Sequence, residues 1–203
     1  MRAMKAVILD LPQKVIDERH RLGQDRWDEV WEGVYHLVPP PDEEHQVVSD
    51  SLFGTLWSYV LRHKLGVIRS NKAIRDMRHP DQDYRIPEWI LLQTGRESLL
   101  KKCGWYVDEG PDAALEVVSP GDEPDEKIPF YEKMGLRELI RVERDSRRVQ
   151  VLRLVAGRLT PVSPNADGWV YCEALRAFFR TDVSAAKPAL RVLLELDRTE
   201  HAF

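Results

Sequence analysis

A carboxylate set inside an apolar strand pattern, Glu116 in Ala113-Ala114-Leu115-Glu116-Val117-Val118-Ser119, is the residue of this chain whose setting most demands chemistry. An ionised carboxylate withdrawn from water without a partner is strongly disfavoured, so it must meet a cation, bind a metal ion or hold its proton. Pro87-Glu88 supplies a second carboxylate, again in apolar sequence, and Lys127 follows Glu116 on a short helical segment. Two carboxylates on neighbouring strands, with a lysine reaching in from the next helix, can hold one or two divalent cations and hydrolyse phosphodiesters. No pair of His or Cys offers a softer site, so the cation would be Mg2+ or Mn2+. The lysine would orient or deprotonate the attacking water, or neutralise charge on the phosphate. A buried Glu116–Lys127 ion pair without metal is the alternative for the same residues.

Other candidates are weaker. His45, near a helix start, could position a phosphate or an acid, or serve a local hydrogen bond. Ser119 ends a strand in a Ser-Pro turn with no His adjacent in sequence, and the chain has no GxSxG elbow, which disfavours a serine or cysteine hydrolase. The six tryptophans, Trp27 to Trp169, suit packing better than a base-stacking platform.

The elements that must position these groups follow from periodicity. Residues 10–25 predict a short helix closed near Gly23, and residues 27–38 a hairpin turning at Glu32-Gly33 and stopped by Pro39-Pro40-Pro41. From residue 44 to 64, Val48, Leu52, Leu56 and Val60 fall four apart, an amphipathic helix with Asp42 as N-cap and Gly66 beyond its end. Residues 67–69 and 73–75 predict a strand pair or one bent strand, residues 79–83 a turn, and residues 84–92 one strand. Residues 94–111 predict a loop or short helix. A strand over 113–119, a short helix over 126–134 stopped by Gly135, and a strand over 136–143 imply a parallel pair. A hairpin turn at 144–147 leads to an antiparallel strand over 149–155, so the sheet is mixed. Beyond it are a turn and short strand over 157–170, a short helix over 172–179, and an apolar element over 190–194.

With 43% hydrophobic and 32% charged residues, the 203-residue chain is expected to be a soluble, globular single domain over residues 1–203. No run is long and apolar enough to span a membrane, and no segment has the form of a signal peptide, which predicts a cytoplasmic protein without a membrane partner. Cys103 and Cys172 lack metal or redox spacing and fit free structural thiols. The net charge of −4 means that a nucleic acid would be held by a local patch, for which 69–78 and 141–148 are the basic runs, if they are more than solvated faces.

Residues 116–123, then Glu126-Lys127-Ile128-Pro129-Phe130-Tyr131 and Gly135-Leu136-Arg137-Glu138-Leu139-Ile140, resemble the Uma2 family of restriction-type endonucleases. Glu32-Gly33, Pro39-Pro40-Pro41 before Glu44-His45-Gln46, and Arg85-Ile86-Pro87-Glu88 stand in the family's order, so the resemblance covers residues 28–155 as a nuclease core with short extensions. It implies the PD-(D/E)XK architecture: an α/β (α+β) restriction-endonuclease-like core, a mixed β-sheet flanked by helices, with an N-terminal β-hairpin. By position, Glu88 matches the first acid and Glu116 the second, both metal ligands. Val118 stands where the superfamily's usual lysine would be, and Lys127 from the following helix fills that role. The first acid is usually Asp, and the extra methylene of Glu88 displaces the carboxylate in a site where Mg2+ demands ligands near about 2.1 Å. The implied activity is Mg2+- or Mn2+-dependent hydrolysis of DNA by in-line attack of water on phosphorus. The second reading is a weak or inactive nuclease fold serving as a nucleic-acid-binding or regulatory module. Cutting both strands of a duplex favours a homodimer, for which the apolar C-terminal segment and the first hairpin are the expected surfaces. No base-reading element stands apart from the core, so the residues name no target sequence.

Overall fold

Period-two patterning dominates the chain and builds three sheets, described by a computed structural model for residues 6–8, 12–38, 40–79, 83–100, 106–120, 122, 124–184 and 187–203. Pro39, the Pro80–Gln82 part of the predicted turn, Cys103, Gly104, Trp105, Gly121, Glu123 and the first residues of the predicted N-terminal helix lie outside the described residues. The N-terminal part runs β1 (Ala6–Ile8), α1 (Gln13–Arg21), β2 (Glu29–Trp31), β3 (Val34–Leu37) and α2 (Glu43–Arg62). Then come β4 (Gly66–Ser70), β5 (Ala73–Arg75), β6 (Tyr84–Arg85), β7 (Trp89–Gln93), β8 (Tyr106–Val107) and β9 (Ala113–Val118). A 3-10 turn at Pro124–Lys127 leads into α3 (Ile128–Met134), then β10 (Glu138–Glu143), β11 (Val149–Val155) and β12 (Arg158–Pro161). The C-terminal strands are β13 (Val170–Cys172), β14 (Ala177–Asp182), β15 (Ala189–Leu194) and β16 (Thr199–Ala202).

The central sheet has the order β12-β11-β10-β9-β7-β4 and is mixed, because β9 and β10 run parallel while the other pairs are antiparallel. Its two faces are covered differently. On one, Val48, Leu52 and Leu56 of α2 pack with Leu115, Ile140 and Val151 and with Phe179, Leu190 and Val192 of the third sheet, β13-β14-β15-β16. On the other, Phe130, Tyr131 and Leu136 around α3 pack against Ile90, Ala114, Leu139 and Leu152. The remaining sheet, β1-β3-β2-β6-β5-β8, meets the same α3 cluster through Ile74 and Val107. The hairpin β2–β3 turns at Glu32 (φ 49°) and Gly33 (φ 86°), the paired left-handed conformation that a two-residue hairpin requires. Asp42 caps α2 by accepting from the His45 amide.

Three expectations need correction. The strand predicted over 84–92 is two strands in two sheets, because Ile86-Pro87-Glu88 forms a corner where Pro87 cannot donate to a ladder. The helix predicted over 172–179 is absent: Cys172 ends β13, Arg176 takes a left-handed φ of 53°, and Ala177 and Phe179 begin a strand whose alternate residues face the core. The segments at 67–69 and 73–75 do not pair with each other: β4 pairs with β7 in the central sheet, and β5 with β6 and β8 in the hairpin sheet. The apolar element expected over 190–194 is β15, with Leu190, Val192 and Leu194 inside. Local apolar spacing over so few residues does not separate the two periods, and pairing in the third sheet decides.

Gly110 sits where two backbones meet. A Cβ there would lie 2.2 Å from the Leu136 nitrogen and 2.3 Å from the Gly135 carbonyl carbon. Gly110→Ala is therefore expected to cost about 3 kcal/mol of stability by overpacking, seen as a lower urea midpoint at unchanged slope.

Candidate active site

Register brings the two predicted acids together. Trp89 pairs with Leu115 and the Glu88 amide donates to the Leu115 carbonyl at 3.0 Å, so Glu88, one residue before β7, falls opposite Glu116 on β9. Further along the same row, β10 sets Arg141 beside Glu116 and β11 sets Gln150 beside Arg141. A line of polar residues thus crosses strands that contribute Ile90, Ala114, Leu139 and Leu152 to the apolar cluster on this face.

Glu88 belongs to the corner at which the chain leaves one sheet for the other. Its carbonyl accepts from the Asn71 amide at 3.0 Å, the matching corner between β4 and β5. Its carboxylate pairs at 2.7 Å with Nε2 of His45, on the first turn of α2, and His45 Nδ1 lies 3.2 Å from Ser119 Oγ at the end of β9. Burial opposes protonation of this imidazole, but the carboxylates of Glu88, Asp42 and Asp122 outweigh it and raise its pKa above the ordinary value.

Glu116 is held from the other side. Lys127 Nζ lies 3.2 Å from Glu116 Oε1 and 3.3 Å from Oε2, and the Tyr131 hydroxyl donates to Oε1. Both partners come from the chain just after β9: the 3-10 turn delivers Lys127, and one turn later α3 delivers Tyr131. Pro129 fits this helix because it occupies the first turn, where no amide partner is lost.

The structure adds a residue that sequence reasoning did not single out. Glu29 on β2 is buried, and its Oε1 accepts from Lys127 Nζ at 2.9 Å and from the Ile86 amide at 2.7 Å. Trp31 Nε1 donates to its Oε2 at 2.8 Å. The available signal was its place between Trp27 and Trp31 on one side of an alternating strand, the same setting that marked Glu116. Lys127 therefore bridges carboxylates from two sheets. Burial lowers its pKa, yet Glu116 and Glu29 together outweigh that and raise it, so the ammonium stays charged.

All four predicted residues converge: Glu88 with His45, and Glu116 with Lys127. Among the described residues no set of three or more His, Cys, Asp or Glu converges as a metal centre. The row does offer two opposed carboxylates, a hard-oxygen donor set that fits Mg2+ or Mn2+, ions that keep several waters when few protein ligands are present.

Among solved structures, the fold is similar to the crystal structure of "a putative nuclease belonging to DUF820" from Anabaena variabilis ATCC 29413. The TM-score is 0.54 with 18% identity, over 68% of this chain and 78% of that one, which establishes a common fold of the restriction-endonuclease-like kind. The sequence model of the Uma2 family, described as "Putative restriction endonuclease", matches residues 17–184, and the chain belongs to that family. No curated protein matches.

Burial pushes the Glu116 carboxyl from 4.5 up to about 7; Lys127 opposes this, Glu29 and Glu88 add to it, and the Tyr131 hydrogen bond opposes it. A carboxyl that binds its proton more tightly folded than unfolded stabilises the fold fully below its unfolded pKa and loses that contribution as pH rises through the folded one. In chelator, unfolding free energy is thus expected to fall as pH rises from 4.5 to 8. Glu116→Gln should flatten that part of the profile, as followed by urea unfolding at each pH.

Proposed function

We propose that this protein is a divalent-metal-dependent endonuclease that hydrolyses phosphodiester bonds of DNA. The observation that carries this is the pair of opposed carboxylates, Glu88 and Glu116, with Lys127 Nζ held 3.2 Å from the second. Glu88 and Glu116 would hold Mg2+ or Mn2+, which when bound draws charge from the phosphate and makes water more acidic. Lys127, kept protonated by its two carboxylates, serves as an electrostatic partner of the phosphate and not as a base. Glu29 fixes the lysine in place, and Tyr131 fixes the orientation of Glu116. His45 holds Glu88 at the mouth of the row. Arg141 Nε, buried and without a hydrogen-bond partner among the described residues, leaves a donor in line with Glu116 for a phosphate oxygen.

The location follows from the same chemistry. A DNA-cutting enzyme with a buried free thiol, Cys172, suits the cytoplasm, a reducing compartment. Among the described residues no helix is long and apolar enough to cross a membrane.

Nicking of supercoiled plasmid is expected with Mg2+ or Mn2+ and not with chelator. Glu116→Ala and Lys127→Ala should each lower the rate by about a hundredfold or more. Glu29→Gln, which leaves Lys127 with one anionic anchor, should lower it by about 10- to 100-fold. Manganese binding followed by electron paramagnetic resonance separates the classes: folded wild type that neither binds Mn2+ nor nicks DNA would favour a non-catalytic binding module.

A further inference from the structure

Helix α2 has two faces of very different fate. Val48, Leu52, Leu56, Tyr59 and Val60 are buried against the central and third sheets. On the opposite side, Val47, Trp57 and Leu61 stand 52%, 44% and 60% exposed. Gly54 lies between them with no atom within 4 Å of where a Cβ would stand. Seven residues make almost two turns, so Val47, Gly54 and Leu61 fall on one line, with Trp57 beside it. Isolated apolar residues on a surface mean little, but an aromatic and two aliphatics along one helix line form a patch.

We infer that this outer face of α2 is where a second copy of the chain docks, with the two helices antiparallel and crossing at Gly54. The occupant follows from self-complementarity. Val47 and Leu61 are equally far in sequence from Gly54, so a two-fold axis through it sets each Val47 against the other copy's Leu61. The same rotation brings Trp57 onto Ser51 and Asp50 onto Ser58, giving the carboxylate a hydroxyl donor. A glycine at the crossing lets the two backbones approach closely.

Charge agrees with the same operation. The helix is acidic at its start, Glu43 and Glu44, and basic at and just past its end, Arg62 and Lys64. Among the described residues Glu43 and Lys64 have no ion pair within the chain, and the two-fold places each near the other's counterpart, twice. Antiparallel packing also opposes the helix dipoles favourably, whereas a parallel pair would set Glu43 against Glu43. One helix face covers less than the roughly 800 Å² per partner of a stable interface, so its neighbours must take part. They are the 144–147 turn, joined to the helix start by Arg144 with Asp42 and by Arg147 with Glu44, and Asp197, joined to its end by Arg62. The rotation faces that arginine turn toward the other copy's Asp197 segment. Strand β15 is the weaker choice, because Leu190, Val192 and Leu194 are inside the core.

The test is oligomeric state by sedimentation equilibrium, with circular dichroism to confirm folding. Wild type is expected to be a dimer at micromolar concentration, and Leu61→Lys a folded monomer. Glu43→Lys should weaken the dimer by about tenfold or more, and adding Lys64→Glu should restore it, a rescue that mere surface damage would not give. In a Cys103→Ser background, Gly54→Cys on the axis should form a covalent dimer under mild oxidation, while Ser184→Cys should not. A monomeric wild type, or a dimer that survives Leu61→Lys and leaves Gly54→Cys uncrosslinked, would overturn the proposal. These readouts need no nuclease activity and stand apart from it.

Discussion

The arrangement turns on one buried cation. Lys127 reaches carboxylates from two sheets, Glu116 of the central sheet and Glu29 of the hairpin sheet, with little exposure to water. Removing three charges from solvent is costly, and the cost is offset only if each finds its partners at hydrogen-bond distance. Glu29 does so through Lys127, the Ile86 amide and the Trp31 indole, and Glu116 through Lys127 and Tyr131. The satisfied set therefore specifies how the two sheets meet as well as what chemistry lies between them.

A second charged layer supports the first. Asp76 and Asp83 on the hairpin-sheet side both bind Lys133 of α3, and buried Arg85 reaches Asp83 and the Val30 carbonyl while lying over the Phe130 ring. Helix α3 is short, and its own propensity would not hold it in water. It is held by a lysine at each end, Lys127 and Lys133, and by Phe130 and Tyr131 between them. The helix that orients Glu116 is thus itself fixed by both sheets.

Much of this was legible in the sequence because it depends on local chemistry. Glu116 announced itself as a charge in an apolar strand, α2 by its four-residue spacing and Asp42 cap, and the hairpin by Glu32-Gly33. What was not legible depends on which strands pair. Glu88 stood in a continuous apolar run, and only the pairing of β6 and β7 in different sheets shows that its segment is a corner. Glu29 stood between Trp27 and Trp31 on one side of an alternating strand, but only the pairing of β2 tells which side of that strand is covered. The segment 172–179 failed for a related reason: a turn between two inward-facing strands carries apolar residues at spacings a helix could also use.

The seam between the central and third sheets holds one more polar pair whose chemistry has a use. Glu138, buried on β10, accepts from the Cys172 thiol at 3.1 Å, from the Ala174 amide at 2.7 Å and from the Glu173 amide at 3.1 Å. Burial, reinforced by the Glu138 charge, pushes this thiol well above its ordinary pKa. It is therefore a proton donor with almost no thiolate character and no contact with water. Alkylating reagents can reach it only after β13 separates from the central sheet. The thiol consequently acts as an internal clock, whose labelling rate reports how often the C-terminal sheet lifts away while the rest of the molecule stays folded.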